Sequence, residues 1–120
     1  MPKVELGKAI PSPELENILI VAAKEVGWKA KARDVLSLNQ NVPPGVLSVY
    51  RARRVELRGA FLPTAIVDFE EHGNNDSIRL WYGFGVGFAT TKEVKEYLHT
   101  VLLQVRNYQS PVAQSDTVLN

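Results

Sequence analysis

The residues able to do acid, base or nucleophilic chemistry are scattered. His72 falls in a turn-rich stretch and His99 inside a helical pattern, and two isolated histidines without matched spacing make no metal site. Glu70 and Glu71 are adjacent, so on a strand they point to opposite faces and cannot work as a carboxylate pair. Ser37, Ser48 and Ser77 have no base at a useful spacing, and the absence of cysteine removes thiolate nucleophiles, disulfides, thiolate zinc sites and iron–sulfur clusters. No catalytic residue, metal or cofactor is assigned. The reading is of a protein that binds rather than one that reacts.

Gly83, Gly85 and Gly87 precede Ala89-Thr90, where a helix begins, and glycines before a helix start can let backbone amides approach a phosphate. The spacing fails here. Phe88 stands where a dinucleotide fingerprint needs its third glycine, and no Gly-Lys-Ser/Thr follows. Ile78, Leu80, Tyr82, Phe84, Val86 and Phe88 instead alternate with Arg79, Trp81 and the three glycines, the period of a strand with one apolar face. The other face is bare backbone beside Arg79 and Trp81. A Trp with a flanking Arg is what interface cores are enriched in, so Trp81, Arg79, Ile66, Gly83 and Gly85 are the candidate contacts with a partner. A second copy of the chain is the partner expected first, through the outer sheet face or an edge.

A second candidate surface is basic. Arg51, Arg53, Arg54 and Arg58 cluster on one strand, with Lys29, Lys31 and Arg33 on the strand before it. If they share a face with Trp81, they offer a track for phosphates and a ring for a base, making nucleic acid the alternative partner. Against that, the net charge is +1, and Glu56, Asp68, Glu70 and Glu71 are placed to pair across the strands. A third reading is a small-ligand pocket between sheet and last helix, lined by Tyr82, Phe84, Tyr97 and Tyr108.

The elements that position these residues follow from periodicity. At 120 residues the chain is one domain, with 45% apolar and 22% charged residues. Val4 and Leu6 suggest a short opening strand. Ser12-Pro13-Glu14 supplies a helix start with Ser12 as the cap, and Leu15, Ile18, Leu19, Ala22 and Val26 form one face up to Gly27. Strands are expected over Trp28–Leu38, Val46–Arg58, Thr64–Glu71 and Ile78–Phe88. In the second of these Tyr50 and Ala52 have the opposite parity to Val55 and Leu57, so a bulge at Arg53-Arg54 is expected. Turn residues fill His72–Asp76. Thr90-Thr91-Lys92-Glu93 fits a capping box, and Val94, Tyr97, Leu98, Val101, Leu102, Val105 and Tyr108 form the strongest helical stripe. Residues 109–120 read as a flexible tail after a domain spanning 1–108.

The order strand, helix, four strands, helix predicts an α+β protein: a two-layer sandwich in which a curved antiparallel sheet buries both helices on one face. This connectivity resembles the TATA-binding-protein-like and helix-grip folds over about residues 3–108. The likeness is one of topology and implies no activity. The start of the sequence has no apolar signal core, and the run from Ile18 to Ala23 is too short to span a membrane, which implies a soluble, cytoplasmic protein without a membrane partner.

Overall fold

The computed structural model describes residues 3–38, 43–45, 49–59, 63–82 and 91–109. Strand β1 (Lys3–Pro11) leads into helix α1 (Ser12–Glu25), followed by β2 (Lys29–Leu38), β3 (Val49–Arg58), β4 (Pro63–Glu70), β5 (Asn74–Tyr82) and helix α2 (Thr91–Asn107). The strands form an antiparallel sheet in the order β1-β5-β4-β3-β2, so β1 and β2 are its edges although they adjoin α1 in sequence. The expected α+β arrangement holds.

One set of alternate positions builds the core. Ala65, Val67 and Phe69 of β4, Val55 and Leu57 of β3, and Ile78 and Leu80 of β5 are buried with Leu15, Ile18, Leu19, Ala22 and Ala23 of α1 and with Val94, Tyr97, Val101 and Val105 of α2. Tyr97 ties α2 to α1 and to the connection that follows it, its ring stacked on Trp28 at 5.4 Å and its hydroxyl donated to the Leu19 carbonyl at 3.0 Å. Burial raises the Tyr97 phenol above its ordinary pKa, because no water remains to solvate the phenolate.

The end of α1 is closed as the sequence implies. Gly27 has φ +81, Trp28 N–H reaches the Ala23 carbonyl at 2.8 Å and Gly27 N–H reaches that of Lys24 at 3.1 Å, the pairing of a Schellman motif. The carbonyls of Arg106 and Tyr108 at the end of α2 accept from Lys8 Nζ of β1 at 3.1 and 3.0 Å.

Four expectations need correction. Ser12 does not cap α1; it is the first helical residue, the cap position is Pro11, and no side chain caps it. Its hydroxyl is donated instead to the Glu70 carbonyl at 2.7 Å and accepts from Asn75 Nδ2 at 3.1 Å, a better use for a hydroxyl buried beside the β4–β5 turn. Second, the bulge at Arg53-Arg54 is absent: β3 pairs residue for residue with β2 from Val49 to Arg58 and with β4 from Ala52 to Leu57. The irregularities lie elsewhere, between Glu5 and Ile10 of β1 and between Leu57 and Arg58. Third, the opening strand is nine residues long rather than short. Fourth, Asn74, Asn75 and Asp76 belong to β5, because Gly73 at φ +87 lets the chain reverse within Glu71–Gly73. The expected strand continuation through Gly83–Phe88, the capping box at Thr90, the Val46–Ser48 strand start and the tail beyond Gln109 lie outside the described residues.

Candidate functional site

The strict ladder divides the candidate residues between two faces. Arg53 lies with Val55 and Leu57 on the helix side, where its guanidinium pairs with Glu16 of α1 and, at 2.8 Å, with Asp34 of β2. Arg51 shares that parity. Arg54 and Arg58 lie on the opposite, outer face with Lys29, Lys31 and Arg33 of β2, Ile66 and Asp68 of β4, and Arg79 and Trp81 of β5. The basic cluster is therefore split: Arg54, Arg58, Lys29, Lys31 and Arg33 share a face with Trp81, and Arg51 and Arg53 do not.

At the centre of the outer face, Asp68 stands in register with Arg54 on one side and Arg79 on the other. Arg54 grips it with two bonds, Nε to Oδ1 at 2.8 Å and Nη2 to Oδ2 at 2.9 Å. The Asp68 side chain is only 1% exposed although both described helices pack on the other face. The same guanidinium lies 5.4 Å from the centre of the Trp81 ring, so one cation neutralises a buried carboxylate and stacks on an aromatic face. The carboxylate raises the Arg54 pKa further above its already high ordinary value.

Beside this network Ile66 and Trp81 are direct cross-strand partners, both half-buried. With Arg79, also half-buried, the three described members of the predicted contact set come together; Gly83 and Gly85 lie outside the described residues. Toward β2, Glu56 is held by Arg33 at 2.8 Å and approached by Arg58 at 3.7 Å. Of the expected pairings, Asp68 with Arg54 and Glu56 with Arg33 and Arg58 are present, whereas Arg53 is neutralised by Asp34 of β2 and Glu16 of α1, neither of them among the acids expected to pair. The partners that sequence reasoning missed are therefore Asp34, Glu16 and the Ser12–Asn75 pair.

A cavity of about 110 Å³ opens between Asp68, Glu70, Asn74, Asp76, Ser77 and Arg79, well below the few hundred cubic ångströms of a ligand pocket. An open depression of about 790 Å³ runs along Lys92, Lys95, Glu96, His99 and Thr100 of α2. It contains none of the four aromatic residues expected to line a pocket. Tyr97 is committed to the core, Tyr82 is 38% exposed, and Phe84 lies outside the described residues. His72 is exposed in its turn 3.8 Å from Glu71, and His99 is exposed on α2. Among the described residues no three His, Cys, Asp or Glu side chains gather as metal ligands, and no helix is long and apolar enough to cross a membrane.

The class these features define is an α+β protein, with a five-stranded antiparallel sheet and two helices among the described residues. No family matches the chain in comparison with known proteins, and neither does any curated protein or any solved structure.

Proposed function

We propose that this chain is a non-enzymatic binding and assembly module, a homodimer formed by apposing the outer sheet faces of two copies. The observation that carries this reading is the Ile66–Trp81 pair, two large apolar side chains directly opposed on the face away from the helices and flanked by the Arg54–Asp68 ion pair. A half-buried Trp beside an Ile, framed by satisfied charges, has the make-up of an interface centre with a polar rim. The central charges are already matched within each protomer, so bringing two such faces together does not pile up like charge there. The fold that goes with this reading is a two-layer sandwich of TATA-binding-protein-like or helix-grip-like connectivity, in which the second sheet face is left for a partner, and its setting is the cytoplasm. Nucleic acid is the weaker partner, since Arg51 and Arg53 face the other way and Arg54 is held by Asp68. Light scattering at low and high salt tests the proposal. A dimer whose mass is unchanged by salt is expected, and a monomer throughout would overturn it.

A further inference from the structure

We propose that the free edge of β2 receives an extended acidic segment of another protein as an added strand. The two sheet edges differ. β1 is interrupted by the register shift between Glu5 and Ile10, carries Gly7 at φ +86 and ends in Pro11, three devices that spoil an edge for further pairing. β2 has none of these. It pairs without a break from Lys29 to Leu38 with β3, and among the described residues nothing pairs with its other side, so alternate backbone N–H and C=O groups face outward along it.

Charge selects the occupant. Lys29, Lys31 and Arg33 follow one another at two-residue spacing on the outer face, about 7 Å apart along the strand. Arg58 stands opposite Lys29, and Glu56 is the acid of this corner, already shared by Arg33 and Arg58. Lys29 and Lys31 are exposed and make no ion pair with a described residue. Asp34, the acid of β2 itself, is turned to the helix side and bound by Arg53. A strand laid along Lys29–Arg33 with acids at three alternate positions sets one beside each of these cations, of which Arg33 is already paired with Glu56 while Lys29 and Lys31 are not.

Its intervening side chains fall on the helix side, beside Ala30 and Ala32, which are half-buried against the core. Ile20, one turn beyond Glu16 on the flank of α1 that Arg53 reaches, is half-buried as well. Small or β-branched residues suit those positions. A second copy of β2 does not fit, since laid antiparallel over Lys29–Arg33 it sets Lys31 against Lys31 and Lys29 against Arg33. The site is separate from the Ile66–Trp81 pair, with β3 lying between β2 and β4.

The probes are two end-blocked, fluorescein-labelled nonapeptides of the same composition, one alternating Glu and Val and one with the acids and valines in separate blocks, together with a twelve-nucleotide single-stranded DNA. Anisotropy is expected to show the alternating peptide binding at least tenfold more tightly than the blocked one and the DNA. The double substitution Lys29→Glu/Lys31→Glu is expected to weaken it at least tenfold, and Lys29→Ala/Lys31→Ala to weaken it by a smaller factor, both proteins keeping the wild-type circular dichroism. Bound peptide is expected to slow hydrogen exchange at alternate amides of Lys29–Leu38, and Trp81→Ala is expected to leave binding unchanged. The proposal is overturned by equal binding of both peptides, by DNA binding as tight as the alternating peptide's, by unchanged exchange along β2, or by no binding. The last result leaves the lysines as guards against strand pairing.

Discussion

Arg54 and Asp68 face each other across β3 and β4, joined by bonds of 2.8 and 2.9 Å on the side of the sheet that the helices leave uncovered. The carboxylate is buried while the guanidinium keeps 23% of its side chain exposed, so the two ends of the pair are not equivalent. Removing the arginine strands a buried anion, whereas removing the acid frees a cation that already reaches water. Arg54→Met is therefore expected to destabilise by about 3 kcal/mol or more and Asp68→Asn by less, about 1–2 kcal/mol. Arg54→Met/Asp68→Leu should recover part of the larger loss. Urea unfolding of the four proteins as a double-mutant cycle checks this; simple additivity would contradict the pairing.

Ser12 ties the start of α1 to the β4–β5 turn through Glu70, Gly73 and Asn75. Ser12→Ala leaves the Glu70 carbonyl and the Asn75 amide short of a partner in a buried place, at a cost of about 1–3 kcal/mol. Thermal unfolding should show the loss. If the hydroxyl were instead an ordinary helix cap, Ser12→Asn would restore stability, and the longer side chain is expected to make matters worse.

Tyr97 makes stability depend on alkaline pH. Its phenol is held protonated in the folded protein, while the unfolded chain ionises near its ordinary value of about 10. Above that pH the folded state binds more protons than the unfolded one, so stability falls as pH rises, with a slope approaching about 1.4 kcal/mol per unit from this group. Below pH 9 the effect is absent. Tyr97→Phe should be less stable at neutral pH, having lost the buried hydrogen bond to the Leu19 carbonyl, and should show a shallower alkaline decline in denaturant titrations at pH 8 to 11.

Gly27 fixes where α1 stops, and the register of β2 follows from it. At φ +81 a side chain there strains the backbone, so Gly27→Ala is expected to cost about 1–2 kcal/mol. Guanidinium midpoints for this variant beside the wild type measure the penalty.

What was legible in the sequence was local. Gly27 after an apolar helical stripe, and Trp28-Ala30-Ala32 alternating with Lys29-Lys31-Arg33, announce themselves within a few residues. The misreadings arose where a distant partner decides. Ser12 before Pro13 has the local look of a cap, but the Glu70 carbonyl that takes its hydrogen lies 58 residues away. Ala52 is apolar and out of phase with Val55, and that change of parity is what suggests a bulge. Ala52 is indeed fully buried, yet on the outer face, in register with Val35 of β2 and Glu70 of β4. The division of Arg53 and Arg54 between two faces then follows from the unbroken ladder.

The central claim is that the outer sheet face joins two copies through Ile66 and Trp81. Sedimentation equilibrium of the wild-type protein beside Trp81→Ala and Ile66→Asp, at low and high salt, tests it most directly. The account predicts a salt-insensitive dimer for the wild type and monomers of native circular dichroism for both variants. A wild-type monomer, or a dimer that both substitutions leave intact, would contradict it.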